Sequence, residues 1–192
     1  MARDMTKGRI LPQMTAFAIP LILGNLFQIL YNATDSIIVG KFVGDDALAA
    51  VGTAGPIMNM AILFISGMCM GAGILMSTLY GAKDMKNLEK QISTTLIGGL
   101  VFSLLIAFLM IVFAVPILRL INSPEEIIGS AAIYLRVVFL GLIFTFVYNF
   151  LANTLRALGD SRTPLYFLVI SAFLNVAGDL LFVVTLKLGV MG

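Results

Sequence analysis

The chain is 192 residues long, and 60% of its residues are hydrophobic while only 11% are charged. Its mean hydropathy of +1.05 lies far above that of water-soluble domains, so the composition predicts an integral membrane protein. A net charge of +2 without a basic block argues against nucleic-acid binding, and one cysteine with no histidine excludes an internal disulfide and the usual zinc sites.

Apolar stretches long enough to cross a bilayer as helices, which takes about 20 residues, occur in five places. We expect these helices at about residues 14–40, 47–79, 91–118, 127–156 and 164–187, after a short N-terminal segment at 1–13. The first apolar stretch has no A-x-A cleavage site, so we interpret it as a transmembrane helix and not as a signal peptide. The sequence therefore predicts an all-α membrane protein without a soluble domain.

Lysine and arginine are divided unevenly between the two predicted sides of the membrane. Eight lie before the first helix or in the second and fourth connections, and three lie on the opposite side. The positive-inside rule then orients the N-terminus toward the cytoplasm. The chain ends at Gly192 in a turn-like sequence, which we interpret as a truncation.

The first predicted helix carries a stripe of polar side chains. Asn25, Gln28, Asn32 and Asp35 follow the spacing i, i+3, i+7 and i+10, which places them on one helical face. A carboxylate in hydrocarbon costs several kcal/mol unless it finds a partner, a proton or water. The stripe therefore predicts an internal functional surface that does not face lipid.

Asp35 and Asp179 are the two acidic residues within predicted helices, about 9 and 12 Å below the outer ends of those helices. Asn175 lies one turn below Asp179, so carboxylate and amide oxygens could form a cage of the kind that hard cations prefer. Two carboxylates in a low dielectric resist joint ionisation, and the pair could therefore bind H⁺ or exchange it for Na⁺. The alternative is a structural role, in which each acid caps a helix or pairs with Arg136, the one basic residue inside a predicted helix.

Further polar residues in the predicted helices are candidates for the lining of a cavity. Tyr148, Asn149 and Asn153 lie on the fourth helix, where an asparagine can equally hydrogen-bond a neighbouring helix. Pro20 interrupts the hydrogen bonds of the first helix and can act as a static kink or as a hinge that responds to protonation of Asp35.

Motifs along nearly the whole chain resemble those of the MATE family of multidrug and toxin extrusion transporters, most closely its bacterial branch. They are Pro20–Asp35, Gly40–Gly44, Ala47–Gly52, Tyr80–Ala82, Tyr134–Arg136, Leu155–Pro164 and Leu174–Asp179. The resemblance implies a bacterial inner-membrane protein of twelve helices in two six-helix lobes. Such a protein exports organic cations and drugs in exchange for H⁺ or Na⁺, without another cofactor and without enzymatic activity.

Residue by residue, the resemblance assigns Asp35, Asn175 and Asp179 to the cation-coupling site and Pro20 to the bend of the first helix. Gly192 falls where a sixth helix would begin, so the chain would cover five of the six helices of the N-terminal lobe. The partners implied are the lipid bilayer, small organic cations or drugs, and the C-terminal lobe of the same protein.

Other functions remain open at this point. An intramembrane aspartyl protease also needs two facing acids, but its G-x-G-D sequence is replaced here by Val176-Ala-Gly-Asp179. A flippase for lipid-linked oligosaccharides, from the same superfamily, would need several basic residues for a pyrophosphate, and we find only Arg136. A fragment that does not transport is the third alternative.

Overall fold

A computed structural model of the chain describes residues 10–42 and 45–186, apart from the side chains of residues 10, 35, 39, 45–48, 179 and 184. The helices are α1 (Ile10–Phe42), α2 (Asp45–Gly81), α3 (Met85–Leu120), α4 (Glu125–Leu140), α5 (Leu142–Ala157) and α6 (Arg162–Asp179), followed by a π-helical segment (Leu180–Thr185). No strand occurs in these residues, which confirms the predicted all-α class. The predictions for residues 1–9, Gly44 and residues 187–192 lie outside the described part of the chain.

The described helices account for up to five crossings of a membrane. α1, α2, α3 and α6 are each long and apolar enough to span a bilayer, and α4 and α5 pass the same test as a pair. Large apolar side chains remain exposed along these helices, as expected of surfaces that face lipid.

The fourth predicted helix differs from the single helix expected at 127–156. It consists of α4 and α5, which meet at Gly141 with a bend of 43°. The Gly141 N–H still donates to the carbonyl oxygens of Val137 and Val138, at 3.3 and 3.0 Å. Since a Cβ at Gly141 would lie 3.2 Å from the Val138 oxygen, glycine lets the backbone bend here without a clash.

Three of the connections are tight turns whose residues explain their shape. Lys83, Asn122 and Gly159 adopt φ angles of 60°, 56° and 86°, which is the left-handed conformation that ends many helices. The next residue in each turn donates its N–H to a carbonyl five residues back, for example Asp160 to Leu155 at 2.9 Å. These bonds satisfy helix-end carbonyls and keep the polar connections short.

The buried core lies between α2, α3, α4 and α5. Phe139 and Phe146 are fully buried there, and Cys69 is 1% exposed, so this cysteine packs in the interior of the helix bundle. A Cβ added to Gly99 on α3 would overlap the ring of Phe146, so the two helices need glycine at this contact. α1 and α6 pack mainly on each other. α1 also makes a smaller contact with α2, and α6 makes one with α5.

The last described turn is wider than an α-helix. The N–H of Leu186 donates to the carbonyl oxygen of Leu181 at 2.9 Å, five residues back, as in a π-helix. This segment begins directly after Asp179, and π-helical turns are frequent near functional residues.

Candidate cation and substrate site

The contact between α1 and α6 provides a common reference point from which the depths of residues on the two helices can be compared. Gly24 is buried at this contact, and a Cβ built on it would lie 3.4 Å from Leu168 Cδ2. With α4 and α5 counted as one crossing, α6 is the fifth span and runs in the same direction as α1. Positions equally far along the two helices from this contact therefore share one depth.

Asp35 and Asp179 occupy such matched positions. Asp35 follows Gly24 by eleven residues on α1, and Asp179 follows Leu168 by eleven residues on α6. At 1.5 Å per residue, each backbone position lies about 16 Å beyond the contact. The side chains of both acids are outside the described part of the structure, so the predicted contact between them stays a prediction.

A polar cavity of about 610 Å³ borders this contact and extends to both sides of it. Six of the residues predicted as hinge, coupling or lining residues border it, and they come from α1, α5 and α6: Pro20, Asn25, Gln28, Tyr148, Asn149 and Asn175. Ser66 on α2 is a further polar residue that borders it. The helices therefore bring together residues that lie up to 155 positions apart in the sequence.

Two predicted lining residues lie elsewhere. Asn32 is exposed on α1 and is not among the residues that border the polar cavity. Asn153 borders a second cavity, and its Nδ2 donates to the Asn149 carbonyl oxygen at 2.8 Å. Helical spacing predicts which side chains share a face with the residues that border the polar cavity. It does not predict where the neighbouring helices separate.

Ser66 was not identified from the sequence. Its hydroxyl donates to Asn149 Oδ1 across the α2–α5 interface at 2.9 Å, while Asn149 Nδ2 donates to the Thr145 carbonyl oxygen at 2.9 Å. Asn149 is thus held in one orientation by two hydrogen bonds. A single serine in a glycine-rich helix gives no periodic signal that could have revealed this role.

The basic residue at the cavity is Arg156, not Arg136. Arg136 is exposed on α4, and its Nε donates to the Ile111 carbonyl oxygen of α3 at 3.3 Å. Arg156 borders the polar cavity, and its Nε is buried without a hydrogen-bond partner among the described residues. From the sequence, Arg156 was counted among the basic residues of the fourth connection, because it lies next to the end of its predicted helix.

The second cavity, which we call the end cavity, has a volume of about 740 Å³ and lies where α2 and α5 end. Arg156 borders this cavity as well as the polar cavity, so its side chain lies at the boundary between them. The α2–α3 and α5–α6 turns also lie at this end of the bundle, together with the start of α1.

Asp160 lies two residues before α6 and fixes the turn beside Arg156. Its Oδ1 accepts from the N–H groups of Arg162 and Thr163 at 3.1 and 3.0 Å, and its Oδ2 accepts from the Thr163 hydroxyl at 2.8 Å. Burial would raise the pKa of the Asp160 carboxyl, but the hydrogen bonds from Thr163 and Arg162 outweigh burial and hold the pKa below its ordinary value.

A transition-metal site is not supported by the described residues, because no three of their His, Cys, Asp and Glu side chains lie close enough to hold an ion. The polar cavity offers amide, hydroxyl and phenol groups instead. Such groups can coordinate a hard cation or orient a small polar molecule.

Comparison with known proteins decides the family. A profile of the MatE family matches residues 20–181, which is most of the chain. The chain belongs to the MatE family. Members of this family are transporters and not enzymes, as the resemblance of the sequence motifs implied.

Two curated relatives of the MatE chain are named for drug resistance or export. It is 34% identical over 193 residues to the probable multidrug resistance protein YpnP of Bacillus subtilis (strain 168), covering 100% of this chain and 43% of the relative. It is 25% identical over 187 residues to the multidrug export protein MepA of Staphylococcus saprophyticus, covering 97% of this chain and 41% of the relative.

A solved structure shares the fold of the MatE chain. A MOP superfamily transporter from Pyrococcus furiosus superposes with a TM-score of 0.88 at 27% identity, covering 93% of this chain and 39% of that one. The binding pocket of that transporter has a reverse polarity, which suggests a different function for it. The MatE chain spans about 40% of the length of these three proteins.

Proposed function

We propose that the protein exports small organic cations or drugs across the bacterial inner membrane in exchange for H⁺ or Na⁺. Family membership and relatives named for multidrug resistance and export support the class of activity. What supports the proposal for this chain is the spacing of Asp35 and Asp179, each of which lies eleven residues beyond the contact between the neighbouring helices α1 and α6.

The coupling site in this proposal consists of Asp35, Asp179 and Asn175. Asn175 borders the polar cavity and lies one turn before Asp179, so it connects the cavity wall to the level of the two acids. A proton or Na⁺ held there neutralises charge that is costly in a low dielectric. Loss of that cation changes which arrangement of α1 and α6 is favoured.

Exchange requires that cation and substrate favour different states of the protein, because a ligand shifts an equilibrium only by its differential affinity. In this account the cation stabilises one arrangement of α1 and α6, and the substrate stabilises the other. Tyr148, Asn149 and Gln28 supply hydrogen-bonding groups at the polar cavity where a substrate can be oriented.

Pro20 is the proposed hinge in α1. It is buried beside the polar cavity, and its missing N–H leaves one helical hydrogen bond unmade. Spin-label distances between the two ends of α1, measured with and without the coupling ion, should differ in the original protein and converge after Pro20→Ala. Identical distances in all four samples would show that the proline is a static kink.

The described residues do not supply the basic contacts that a flippase for lipid-linked oligosaccharides would need. A pyrophosphate requires several basic contacts, whereas Arg156 is the only described basic residue at the polar cavity. One arginine at the boundary is compatible with a polar drug but leaves most of a pyrophosphate unpaired.

Transport in inside-out membrane vesicles tests the proposed function. The protein, expressed from its complete coding sequence, is given a fluorescent organic cation under separate H⁺ and Na⁺ gradients. We expect one gradient to drive dye movement, and Asp35→Asn and Asp179→Asn each to reduce it to the level of empty vesicles. Asp84→Asn, which keeps a capping group at the start of α3 in a turn, is the matched control and should retain transport.

Each result of this experiment has a defined meaning. Export that survives both substitutions would show that the acids are structural and that coupling occurs elsewhere. Absence of any gradient-driven movement in the unaltered protein, at normal expression, would favour a protein that does not transport these cations.

A further inference from the structure

The end cavity is shaped by a close approach of two helices. A Cβ on Gly73 of α2 would lie 3.5 Å from Asn153 Cβ of α5, so the two backbones nearly touch there. Beyond this contact α2 continues for eight residues to Gly81, which is about 12 Å. The cavity borders both Gly73 and Gly81, so it extends from the contact to the ends of the helices. Because membrane-spanning helices end near the headgroups, we expect this end of the cavity to lie there.

The walls of the end cavity are largely apolar along its length. Phe17, Met70, Ile74 and Met85 border it from α1, α2 and α3. Three of these four side chains are methionine or isoleucine, which are flexible or branched and fit acyl chains of varied shape. An apolar chain is therefore a better occupant of this part than water or a small ion.

Positive charge is concentrated at the open end of the end cavity. Lys83 lies in the α2–α3 turn and Arg156 lies one residue before the end of α5, and both border the cavity. None of the described residues that border it is acidic. A cation entering here meets repulsion, whereas an anionic group meets two partners.

Arg156 has hydrogen-bonding capacity that the described protein groups leave unused. Its Nε is buried and has no hydrogen-bond partner among them. A buried donor without a partner costs free energy, and a phosphate or carboxylate oxygen is the partner that best fits a guanidinium.

We propose that the end cavity binds an anionic phospholipid from the leaflet on the side of the chain's N-terminus. The phosphate contacts Lys83 and Arg156, and one acyl chain lies along the wall formed by Met70 and Ile74. Basic pockets between transmembrane helices bind such headgroups, and the surrounding bilayer supplies this ligand continuously. Because Arg156 also borders the polar cavity, the bound lipid stabilises the boundary between the two cavities.

Native mass spectrometry of the complete protein, stripped of lipid in detergent, tests this site. Phosphatidylglycerol and phosphatidylcholine with identical acyl chains are titrated separately. We expect phosphatidylglycerol to bind in preference, and Lys83→Gln to weaken its binding about fivefold, as for one basic contact at a membrane surface. Lys86→Gln is the matched control, because Lys86 is exposed in the first turn of α3 and does not border the cavity. Its effect should stay below twofold.

Two further arms separate the lipid from other occupants. Ser77→Phe fills the end cavity without a change of charge and should also weaken phosphatidylglycerol binding; Arg156→Gln should weaken it at least as much as Lys83→Gln. Glycerol 3-phosphate, which carries the phosphate without acyl chains, should not displace the bound lipid.

Several results would overturn the proposal. Equal losses in Lys83→Gln and Lys86→Gln would show general attraction to a basic surface. Displacement by glycerol 3-phosphate would show a site for soluble anions. Equal binding of both lipids, or no effect of Ser77→Phe, would show that the end cavity is not the lipid site or that another part of the protein covers it.

Discussion

The bundle of α2 to α5 and the pair of α1 and α6 differ in how they are held. The bundle contains nearly all of the fully buried apolar residues, including Phe139, Phe146 and Ile65. In the apolar windows of α1 and α6, 11% and 6% of the residues are buried, compared with 22% and 17% in those of α2 and α3. The candidate acids lie on the weakly buried pair, while the tightly packed bundle provides the opposite wall of the polar cavity.

This difference in burial indicates that the two regions differ in how easily they can move. A segment with few buried contacts opens or shifts at a lower free-energy cost than a packed core. In the proposed function, α1 and α6 are the part that moves when the charge at Asp35 and Asp179 changes, and the bundle is the scaffold.

The largest difference in stability should come from the glycines at the two contacts. Gly99→Ala in the bundle forces a Cβ into the ring of buried Phe146, and we expect a loss of about 1–3 kcal/mol. Gly24→Ala at the α1–α6 contact adds only an ordinary contact of 3.4 Å to Leu168 and should be nearly neutral. Thermal unfolding in detergent measures both.

Gly98→Ala is the matched control for Gly99→Ala, because nothing lies within 4 Å of a Cβ at Gly98. It should stabilise the protein by up to about 1 kcal/mol through helix propensity. A larger loss from Gly24→Ala than from Gly99→Ala would contradict the division into a packed bundle and a loosely held pair.

A smaller effect is expected at Asp160, which joins the two regions. Asp160→Ala removes the acceptor for the first N–H groups of α6 and should cost about 1 kcal/mol at neutral pH. Because the folded pKa lies below the ordinary value, the charged form contributes stability above that value, and this contribution is lost as the pH falls toward the folded pKa.

Unfolding measured at neutral pH and near pH 3, which is below the ordinary pKa of 3.8 for this carboxyl, tests this dependence. The difference between the original protein and Asp160→Ala should shrink in acid, whereas Glu89→Gln, at an exposed acid of α3, should differ little from the original at either pH. A difference that grows in acid would refute the assigned role of the carboxylate.

The smallest effect is expected for the hydrogen bond between Ser66 and Asn149 in the wall of the polar cavity. A double-mutant cycle with Ser66→Ala and Asn149→Ala should give a coupling energy of about 0.6 kcal/mol, which is typical between membrane helices. A coupling near zero would show that the wall is held by packing alone. Ser103→Ala, whose hydroxyl bonds a carbonyl of its own helix, is the control and should not couple to Asn149→Ala.

The sequence predicted the helices and six of the residues that border the polar cavity, because both depend on local patterns. Apolar length determines the crossings, and helical spacing places Asn25 and Gln28 on one face. The bend at Gly141 was missed because a glycine within an apolar run is compatible with a straight helix as well.

The contact of Arg156 with the polar cavity was not predicted, for a related reason. A basic residue near a helix end normally extends toward water, and only the packing of α5 against α2 shows that its Nε is buried. Asn32 and Asn153 have the correct periodicity but lie where neighbouring helices separate or where another cavity begins. Such distances between helices are set by tertiary packing and leave no signal in a single sequence.

Cysteine cross-linking measures the central claim, that Asp35 and Asp179 meet at one depth of the α1–α6 pair. In the complete protein with Cys69→Ala, Asp35→Cys is combined either with Asp179→Cys or with Ser171→Cys, which lies eight residues and about 12 Å lower on α6. The account predicts that a short bifunctional reagent joins the first pair and leaves the second pair unlinked. Cross-linking of the second pair without the first would contradict it.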